Sequence, residues 1–466
     1  MASGVRFPTD SSTATARHVV ADALRKVDPV GARSVEQETN WRRGYLTHFS
    51  RLVEAGLGAP QDAVTIASEG LRSMNEQMLC GDLPLAEAVS APPTEAPWST
   101  VEIQGDAEPE TELSIPYRGR RLTGAELDAQ LDDWVRRGVV EPTFCDAIRE
   151  VAAHPEWLRL EGDTVVVLGA GAEMGPYRSL LRWGADVVAV DLPRADVQQR
   201  IRSYAREGAG RVRLPVGGKE TGADLLHNLP ELAHWLESLD GRLVLGTYCY
   251  ADGATHVRVS MAADAIATRL LAERPDTALA YLATPTDVFA VPAGAVTTSN
   301  EAYSAGRRIV RAPFRALSGG RLLQRNYPPE AEIGLCDSLV PQQGPNYALA
   351  KRVQRWRAAV ARAEGATVSL NVAPATRTAS VLKNRALAAA YAGAHRFGVE
   401  IFEPATSNVL MAALLVHDLR SDRTPSDEPW REEAFAAAHG GLWTAGYHPR
   451  SALGLAAVLG LAGSRA

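Results

Sequence analysis

Cysteine is scarce in this chain. Four cysteines occur in 466 residues, at positions 80, 145, 249 and 336, without a Cys-x-x-Cys pair or a spacing typical of zinc sites. A disulfide framework needs paired cysteines in an oxidising compartment, so the scarcity favours a reducing environment and isolated structural thiols. We expect neither disulfides nor a metal site.

Long apolar runs are also absent. No segment holds eighteen uninterrupted apolar residues, and the N-terminal segment MASGVRFPTDSSTATARHVV contains no apolar signal core. A membrane-spanning helix and a secretory signal both need such a run. We therefore expect a cytoplasmic protein without a membrane span.

No charge of one sign dominates. The 49 lysines and arginines are balanced by 55 aspartates and glutamates, which gives a net charge of -6. Nucleic acids and anionic membranes select strongly basic proteins, so the overall charge argues against both and favours a small-molecule substrate. Lysine itself is rare, because four of the 49 cations are lysines, at 26, 219, 351 and 383, and 49 − 4 = 45 are arginines.

The apolar pattern divides the chain into five regions. They are an N-terminal helical region (1–82), an irregular linker (83–118), a helical brace (119–160), a dinucleotide-binding and catalytic domain (161–395) and a helical C-terminal cap (396–466). Strands alternate with helices in the fourth region, which predicts right-handed crossovers and a doubly wound parallel sheet of the α/β class. An insertion at 287–337 interrupts the alternation and is typical of a functional loop or lid. The apolar C-terminal helices line a substrate pocket or pack against another subunit, and we expect a homo-oligomer.

The most informative stretch is TVVVLGAGAEMGPYRSLLRWGADVVAVDLP, residues 164–193. It reads as strand, glycine turn, helix and strand. Gly169 permits the tight turn, Gly171 lets the backbone approach a pyrophosphate, and Gly175 lets the helix pack closely. Asp191 ends the second strand, where a carboxylate accepts hydrogen bonds from an adenosine ribose. The pattern predicts dinucleotide binding, and its alternative is an inherited fold that binds nothing.

A second set of residues lies on the predicted helix NYALAKRVQRWRAAVARAEG, residues 346–365. Tyr347 and Lys351 are four residues apart and share one face of that helix. An ammonium beside a phenol lowers the cost of the phenolate, so the tyrosine can exchange a proton with a carbonyl or alcohol oxygen. The pair is typical of an acid-base group for hydride chemistry, and the alternative is a surface lysine beside a tyrosine at the edge of the core.

Taken together, GAGAEMG, DVVAVD, NYALAK and SLNVAPATRT occur in an order that resembles the short-chain dehydrogenase/reductase superfamily. The resemblance covers roughly residues 161–380. It implies that Tyr347 is the general acid/base and that Lys351 holds the nicotinamide ribose and lowers the pKa of the tyrosine. The implied contacts with the cofactor are made by Gly169, Gly171, Glu173, Met174, Gly175, Asp191, Thr247, Lys351, Pro374 and Thr378.

The chain departs from the pattern of that superfamily in several places. Ala375 replaces a glycine, and Thr247 begins the segment where an Asn-Asn-Ala-Gly signature is usual. The resemblance assigns a water-holding role to Ser260 in place of an asparagine. The catalytic serine has no clear match: Thr284 and Thr286 end the fifth strand, Ser338 follows the insertion, and Thr286 is weakly favoured over Ser338.

The resemblance implies reversible hydride transfer between NAD(P)(H) and a carbonyl/alcohol pair on an apolar small molecule. Asp191 repels a 2'-phosphate and Glu173 takes a place where NADP enzymes often keep a basic residue, so NAD(H) is favoured over NADP(H), although Arg194 could turn toward a phosphate. Two alternatives stay open. One is a dinucleotide-binding sensor or scaffold without activity, and the other is a non-oxidative epimerase or dehydratase on the same fold.

Overall fold

A computed structural model describes residues 4–9, 11–93, 96–306 and 308–463 of the chain. The predicted regions 1–82, 83–118, 287–337 and 396–466 each include a few residues outside these ranges. Helices predominate in the first of those regions, and their apolar faces pack together with a short antiparallel sheet. The elements are β1 (Val5–Arg6), α1 (Ser12–Arg25), α2 (Pro29–Glu36), α3 (Trp41–Ala55), α4 (Pro60–Gln77), β2 (Leu79–Cys80), β3 (Leu83–Pro84) and α5 (Leu85–Ala88).

The segment predicted as an irregular linker contributes strands. They are β4 (Ser99–Gln104), β5 (Ile115–Tyr117) and β6 (Arg120–Leu122), followed by α6 (Gly124–Arg136) and α7 (Pro142–Ala153). β4 pairs antiparallel with a strand of the central sheet along its whole length. Its sequence, STVEIQ, alternates polar and apolar residues, which is the two-residue period of a strand with one face covered. The proline-rich composition around it hides this short signal.

Residues 163–283 alternate strands with helices as the pattern predicts. The elements are β7 (Asp163–Leu168), α8 (Tyr177–Arg182), β8 (Asp186–Val190), α9 (Ala195–Glu207), β9 (Arg211–Gly217), β10 (Glu220–Thr221), α10 (Leu229–Glu237), β11 (Arg242–Thr247), α11 (Ala254–Glu273) and β12 (Ala278–Ala283). β7 and β11 are largely apolar and buried on both faces, as parallel strands covered by helices require.

The insertion is more regular than the sequence indicates. It consists of β13 (Val288–Pro292), α12 (Ala293–Ala305), α13 (Arg308–Leu317) and β14 (Ile333–Asp337). The two strands pair antiparallel, so that both helices belong to the connection between them. The chain then forms α14 (Gly344–Ala363) and β15 (Val368–Val372). β15 pairs in parallel with β12, so the chain leaves the central sheet after β12 and returns beside the same strand after the insertion.

The central sheet has eight strands and is mostly parallel. Its order is β10-β9-β8-β7-β11-β12-β15, with β4 also paired to β9, and only β4 and β10 run antiparallel to their neighbour. The six parallel strands, numbered along the chain, lie in the order 3-2-1-4-5-6. The chain changes direction between β7 and β11, and ligands of open α/β sheets bind beside such a point at the carboxyl ends of the strands.

Helices cover both faces of this sheet. Val166 and Leu168 face a core shared with α10, α11 and α14, whereas Val165 and Val167 face a second core shared with α6 to α9. The C-terminal region contributes α15 (Ala379–Lys383), α16 (Arg385–Gly393), α17 (Pro404–Arg420), α18 (Pro429–Ala434) and α19 (Pro449–Gly463). α17 is buried along most of its length in the second core. None of the helices in the described ranges is both long and apolar enough to cross a membrane.

A buried ion pair joins α11 to α14. Arg357 Nε and Nη2 donate to the two carboxylate oxygens of Asp264, at 2.7 and 3.0 Å. Asp264→Asn leaves the guanidinium without a counter-charge, so we expect the free energy of unfolding in urea to fall by about 3–5 kcal/mol, and the double change Asp264→Leu/Arg357→Met to recover most of it.

The exposed pair between Arg194 and Asp196 is the matched control for this prediction. Asp196→Asn is expected to leave the urea midpoint unchanged, because water screens that pair. Equal losses from Asp264→Asn and Asp196→Asn would contradict the assigned importance of the buried pair.

Candidate functional site

The carboxyl ends of the parallel strands border a cavity of about 1230 Å³. This volume exceeds the roughly 300–1,000 Å³ of ordinary small-molecule pockets, so the cavity has room for two ligands side by side. Ten residues predicted as site residues line it: Gly169, Gly171, Glu173, Met174, Asp191, Thr247, Tyr347, Lys351, Pro374 and Thr378. Four others, Gly175, Ser260, Thr286 and Ser338, do not.

The glycine turn forms one wall of the cavity. Gly169 has a φ of +86°, and a side chain there would place Cβ 2.9 Å from the backbone of Cys249, so only glycine fits. The backbone N–H groups of Glu173 and Met174 donate to no group in the described ranges. Gly175 is less constrained, because a Cβ there would lie 3.4 Å from Tyr248, an ordinary contact.

The C-terminal region holds this turn in place. Asn408 on α17 donates a hydrogen bond to the Gly175 carbonyl and accepts one, at 2.6 Å, from Ser179 on α8. Nothing in the apolar pattern of α17 distinguishes this asparagine as a support of the turn. The structure therefore links the cap region, which the sequence analysis treats separately, to the predicted phosphate loop.

Asp191 faces the same turn from the end of β8. Its Oδ2 accepts a hydrogen bond from the Gly171 N–H at 2.8 Å, and its Oδ1 accepts one from the Leu192 N–H at 2.8 Å. Arg194 is paired with Asp196 at 2.9 Å and does not line the cavity. Arg200 does line it, with Nη2 2.9 Å from the position a Cβ on Gly171 would take, so a cation that the sequence analysis missed lies beside Asp191.

The opposite wall carries Tyr347 on the first turns of α14. Thr284 lies beside its hydroxyl and lowers the pKa of the phenol, and hydrogen bonds run from Thr284 to Thr286 at 2.9 Å and from Thr286 to Gln343 Oε1 at 2.9 Å. Thr284 lines the cavity and Thr286 lies one step behind it. Of the two threonines that follow β12, the structure thus places Thr284, and not the favoured Thr286, next to the tyrosine. The catalytic role of either hydroxyl stays a prediction.

Burial dominates the ionisation of Tyr347. It raises the pKa of the phenol to about 12, with a smaller opposite effect from the Thr284 hydrogen bond and a further increase from the Asp287 carboxylate. The neutral phenol is therefore the form present near pH 7. It can donate a proton to a ligand oxygen.

Lys351 lies one helical turn further along α14. Its ammonium donates to the Leu282 carbonyl at 3.0 Å and to Gln354 Oε1 at 3.1 Å, rather than to the Tyr347 hydroxyl. Burial lowers the pKa of Lys351 to about 8, although Cys249 and Asp287 favour its charged form. The lysine lines the cavity and remains mostly charged at neutral pH.

His256, on the first turn of α11, was not anticipated. Its ring lies 5.5 Å from the Tyr347 ring and 5.1 Å from the Tyr250 ring, and the residue is only 1% exposed while lining the cavity. Burial, followed by the charge of Lys351, lowers its pKa to about 3, although the nearby Cys249 backbone favours the charged form. Neither ring nitrogen completes a well-formed hydrogen bond with a described residue. The neutral imidazole is a hydrogen-bonding group available to a ligand.

The remaining predicted residues have different surroundings. Ser260 is buried one turn after His256, and its hydroxyl lacks a partner among the described residues. Ser338 lies 3.1 Å from Cys336 Sγ and, with Thr286, lines a smaller apolar chamber of about 80 Å³. That chamber shares Ala375 and Tyr391 with the main cavity.

The turn after β15 closes the cavity over the glycine turn. Pro374 and Thr378 line it, and Glu173 Oε2 accepts a hydrogen bond from the Ala379 N–H at 2.9 Å. α15 and the following residues thus cover the cavity, and they place Lys383 and Arg385 at its mouth. Two of the four lysines in the chain, Lys351 and Lys383, line this one cavity.

No group of three or more His, Cys, Asp or Glu side chains within the described ranges is arranged to hold a metal ion. Comparison of the chain with protein-family models, with curated proteins and with solved structures finds no match.

The lowered pKa of Lys351 can be measured directly, because a chain with four lysines gives a simple spectrum. With lysine labelled with ¹³C, we expect one Cε resonance to titrate near pH 8, and to be absent from Lys351→Arg. Lys383→Arg is the matched control and should keep that resonance. If the resonance near pH 8 survives in Lys351→Arg, the assignment is wrong.

Proposed function

We propose that this chain is an NAD(P)-dependent oxidoreductase that transfers hydride between nicotinamide and a carbonyl/alcohol pair on a small molecule. The observation that carries the proposal is the convergence of two patterns far apart in the sequence. The glycine turn with Asp191 and the Tyr347/Lys351 helix line one cavity at the point where the strand order reverses. This is the expected position for a ligand of such a sheet.

The residues on the glycine-turn wall fit a dinucleotide. The unpartnered N–H groups of Glu173 and Met174 are suited to a pyrophosphate, and Asp191 offers carboxylate oxygens to a ribose. Thr247, Pro374 and Thr378 line the same cavity, and the turn that carries Pro374 and Thr378 reaches the glycine turn through the Ala379 N–H and Glu173. When bound, the nicotinamide supplies or accepts the hydride.

The acid-base group favours reduction near neutral pH. Because burial raises the pKa of Tyr347 to about 12, the protonated phenol donates its proton to the substrate carbonyl oxygen as hydride reaches the carbon. Thr284 orients the phenol, and Lys351 supplies positive charge nearby. Oxidation of an alcohol needs the phenolate, which burial makes costly, so it requires more alkaline conditions.

Cofactor choice depends on the wall beside Gly171. Asp191 disfavours a 2'-phosphate, which supports NAD(H) over NADP(H). Arg200 lies beside the same carboxylate and could pair with a phosphate if the carboxylate were absent. We infer that Asp191 sets the preference for NAD(H) over NADP(H) and that Arg200 makes this preference weaker.

A second function is supported by one specific observation. Lys351 donates to Leu282 and Gln354 and not to the tyrosine, so no cation in the described part of the chain donates directly to the Tyr347 oxygen. A protein that binds the dinucleotide as a sensor or scaffold, without turnover, would tolerate this arrangement.

Titration with NADH and with NADPH, followed by nicotinamide fluorescence, tests cofactor binding. We expect the wild type to bind NADH with micromolar affinity. Gly171→Asp should weaken that binding at least tenfold, because the new side chain meets Arg200 and Asp191. Asp191→Asn should raise the affinity for NADPH relative to that for NADH. Gly294→Asp, at a position with open space around it, is the control and should bind normally. Failure of the wild type to bind either cofactor would refute the proposal.

Turnover with a panel of aldehydes and ketones separates the two functions. Tyr347→Phe should keep NADH binding and lower kcat by about 10²–10⁴-fold, since it removes the proton donor. Thr284→Val should lower kcat more than Thr286→Val, because only Thr284 lines the cavity beside the tyrosine. Wild type that binds NADH and reduces no carbonyl compound would favour the sensor or scaffold.

A further inference from the structure

Positive charge is concentrated in the insertion. Residues 302–329 contain six arginines and no lysine, aspartate or glutamate, in a chain whose net charge is -6. None of Arg311, Arg315, Arg321 and Arg325 forms an ion pair within the described ranges. The segment is a local cationic surface that the overall charge conceals.

α13, in the middle of this segment, is amphipathic. Arg311 and Arg315 are four residues apart and share one face, whereas Phe314 and Leu317 are three residues apart and share another. A helix on the surface of a water-exposed protein turns its apolar face to the core and its charged face outward.

α13 has the opposite orientation. Arg311 donates to the Tyr303 carbonyl and stacks with its guanidinium carbon 4.0 Å from the centre of the Tyr303 ring, and Arg315 Nη1 donates to the Leu323 carbonyl at 3.2 Å. Phe314 is 40% exposed and Leu317 is 90% exposed. The arginines hold the helix against the body of the protein, and the apolar face points away from it.

We propose that α13 docks this protein on an anionic membrane surface. A helix that lies in the membrane interface inserts its apolar face below the lipid headgroups and keeps its polar face toward water and protein, which is the orientation seen here. Arginines near the surface add attraction to acidic lipids, and the segment 302–329 itself contributes no acidic side chain against that attraction. Charge complementarity thus selects a lipid surface over the apolar groove of another protein.

The position of α13 agrees with this assignment. Tyr303, which Arg311 covers, packs at 5.6 Å against Tyr447, and Tyr447 lines the smaller apolar chamber. The chamber shares Tyr391 with the main cavity. A lipophilic substrate could pass from the membrane through the smaller chamber to the main cavity. This consequence depends on the proposed function, but the docking of α13 on a membrane does not.

Co-flotation with vesicles tests the docking. We expect wild-type protein to float with vesicles of phosphatidylcholine containing phosphatidylserine, and to float poorly with phosphatidylcholine alone. Phe314→Ser/Leu317→Ser should weaken binding to the acidic vesicles by about tenfold or more, since the two apolar side chains that enter the membrane interface are lost. Raising the salt concentration, or Arg321→Glu, should weaken it as well, because both reduce the attraction between arginines and acidic lipids.

Leu83→Ser is the matched control, because Leu83 is exposed at 45% on a strand far along the sequence from α13 and should not affect flotation. Thermal unfolding and the NADH titration, run on every variant, show that the fold and the proposed cofactor site are intact. The proposal is overturned by equal flotation with neutral and acidic vesicles, or by no flotation at all. It is also overturned if light scattering shows a dimer that dissociates in Leu317→Ser, because a second copy of the chain then covers α13. If the wild-type protein floats with acidic vesicles but does not bind NADH, the result contradicts the proposed function and not the docking.

Discussion

Buried arginines on α14 fix the position of the candidate site. Arg357 pairs with Asp264 on α11, and Arg352 and Arg355 both donate to Asp287, directly before β13, at 3.1 and 2.7 Å. A helix pinned at three positions cannot slide along its neighbours without leaving a charge unpaired in the core, which costs several kcal/mol. The register of α14 therefore determines where Tyr347 points.

The same register explains the pairing of the site residues. His256 on α11 contacts Tyr347 on α14. Further along both helices, Asp264, eight residues after His256, contacts Arg357, ten residues after Tyr347. α11 and α14 therefore run side by side in the same direction. Parallel strands with right-handed crossovers make neighbouring helices parallel. The sheet topology thus brings the first turns of both helices to the carboxyl edge of the strands, where the cavity lies. The ion pair sets the register, and the topology sets the end at which the chemistry can occur.

The sequence predicts the parts of this site that depend on local chemistry. The glycine turn, Asp191 and the Tyr347/Lys351 spacing follow from backbone and helical geometry, and the structure places them on one cavity. His256 and Asn408 could not be predicted, because their importance comes from contacts between elements distant in sequence. The choice between Thr284 and Thr286 depends on the path of the chain after β12, which no periodicity encodes. β4 was missed because six alternating residues lie within a proline-rich segment.

Averages over the chain conceal local features in two further ways. The net charge of -6 argues against an anionic partner, yet residues 302–329 carry six arginines without an acid. Lysine is rare in the chain, yet two of the four lysines line the cavity, and burial lowers the pKa of one to about 8. Function depends on the electric field at a particular surface, which falls off within about 8 Å in physiological salt. A charge distribution resolved over single helices is therefore a better guide to partners than the sum over the chain.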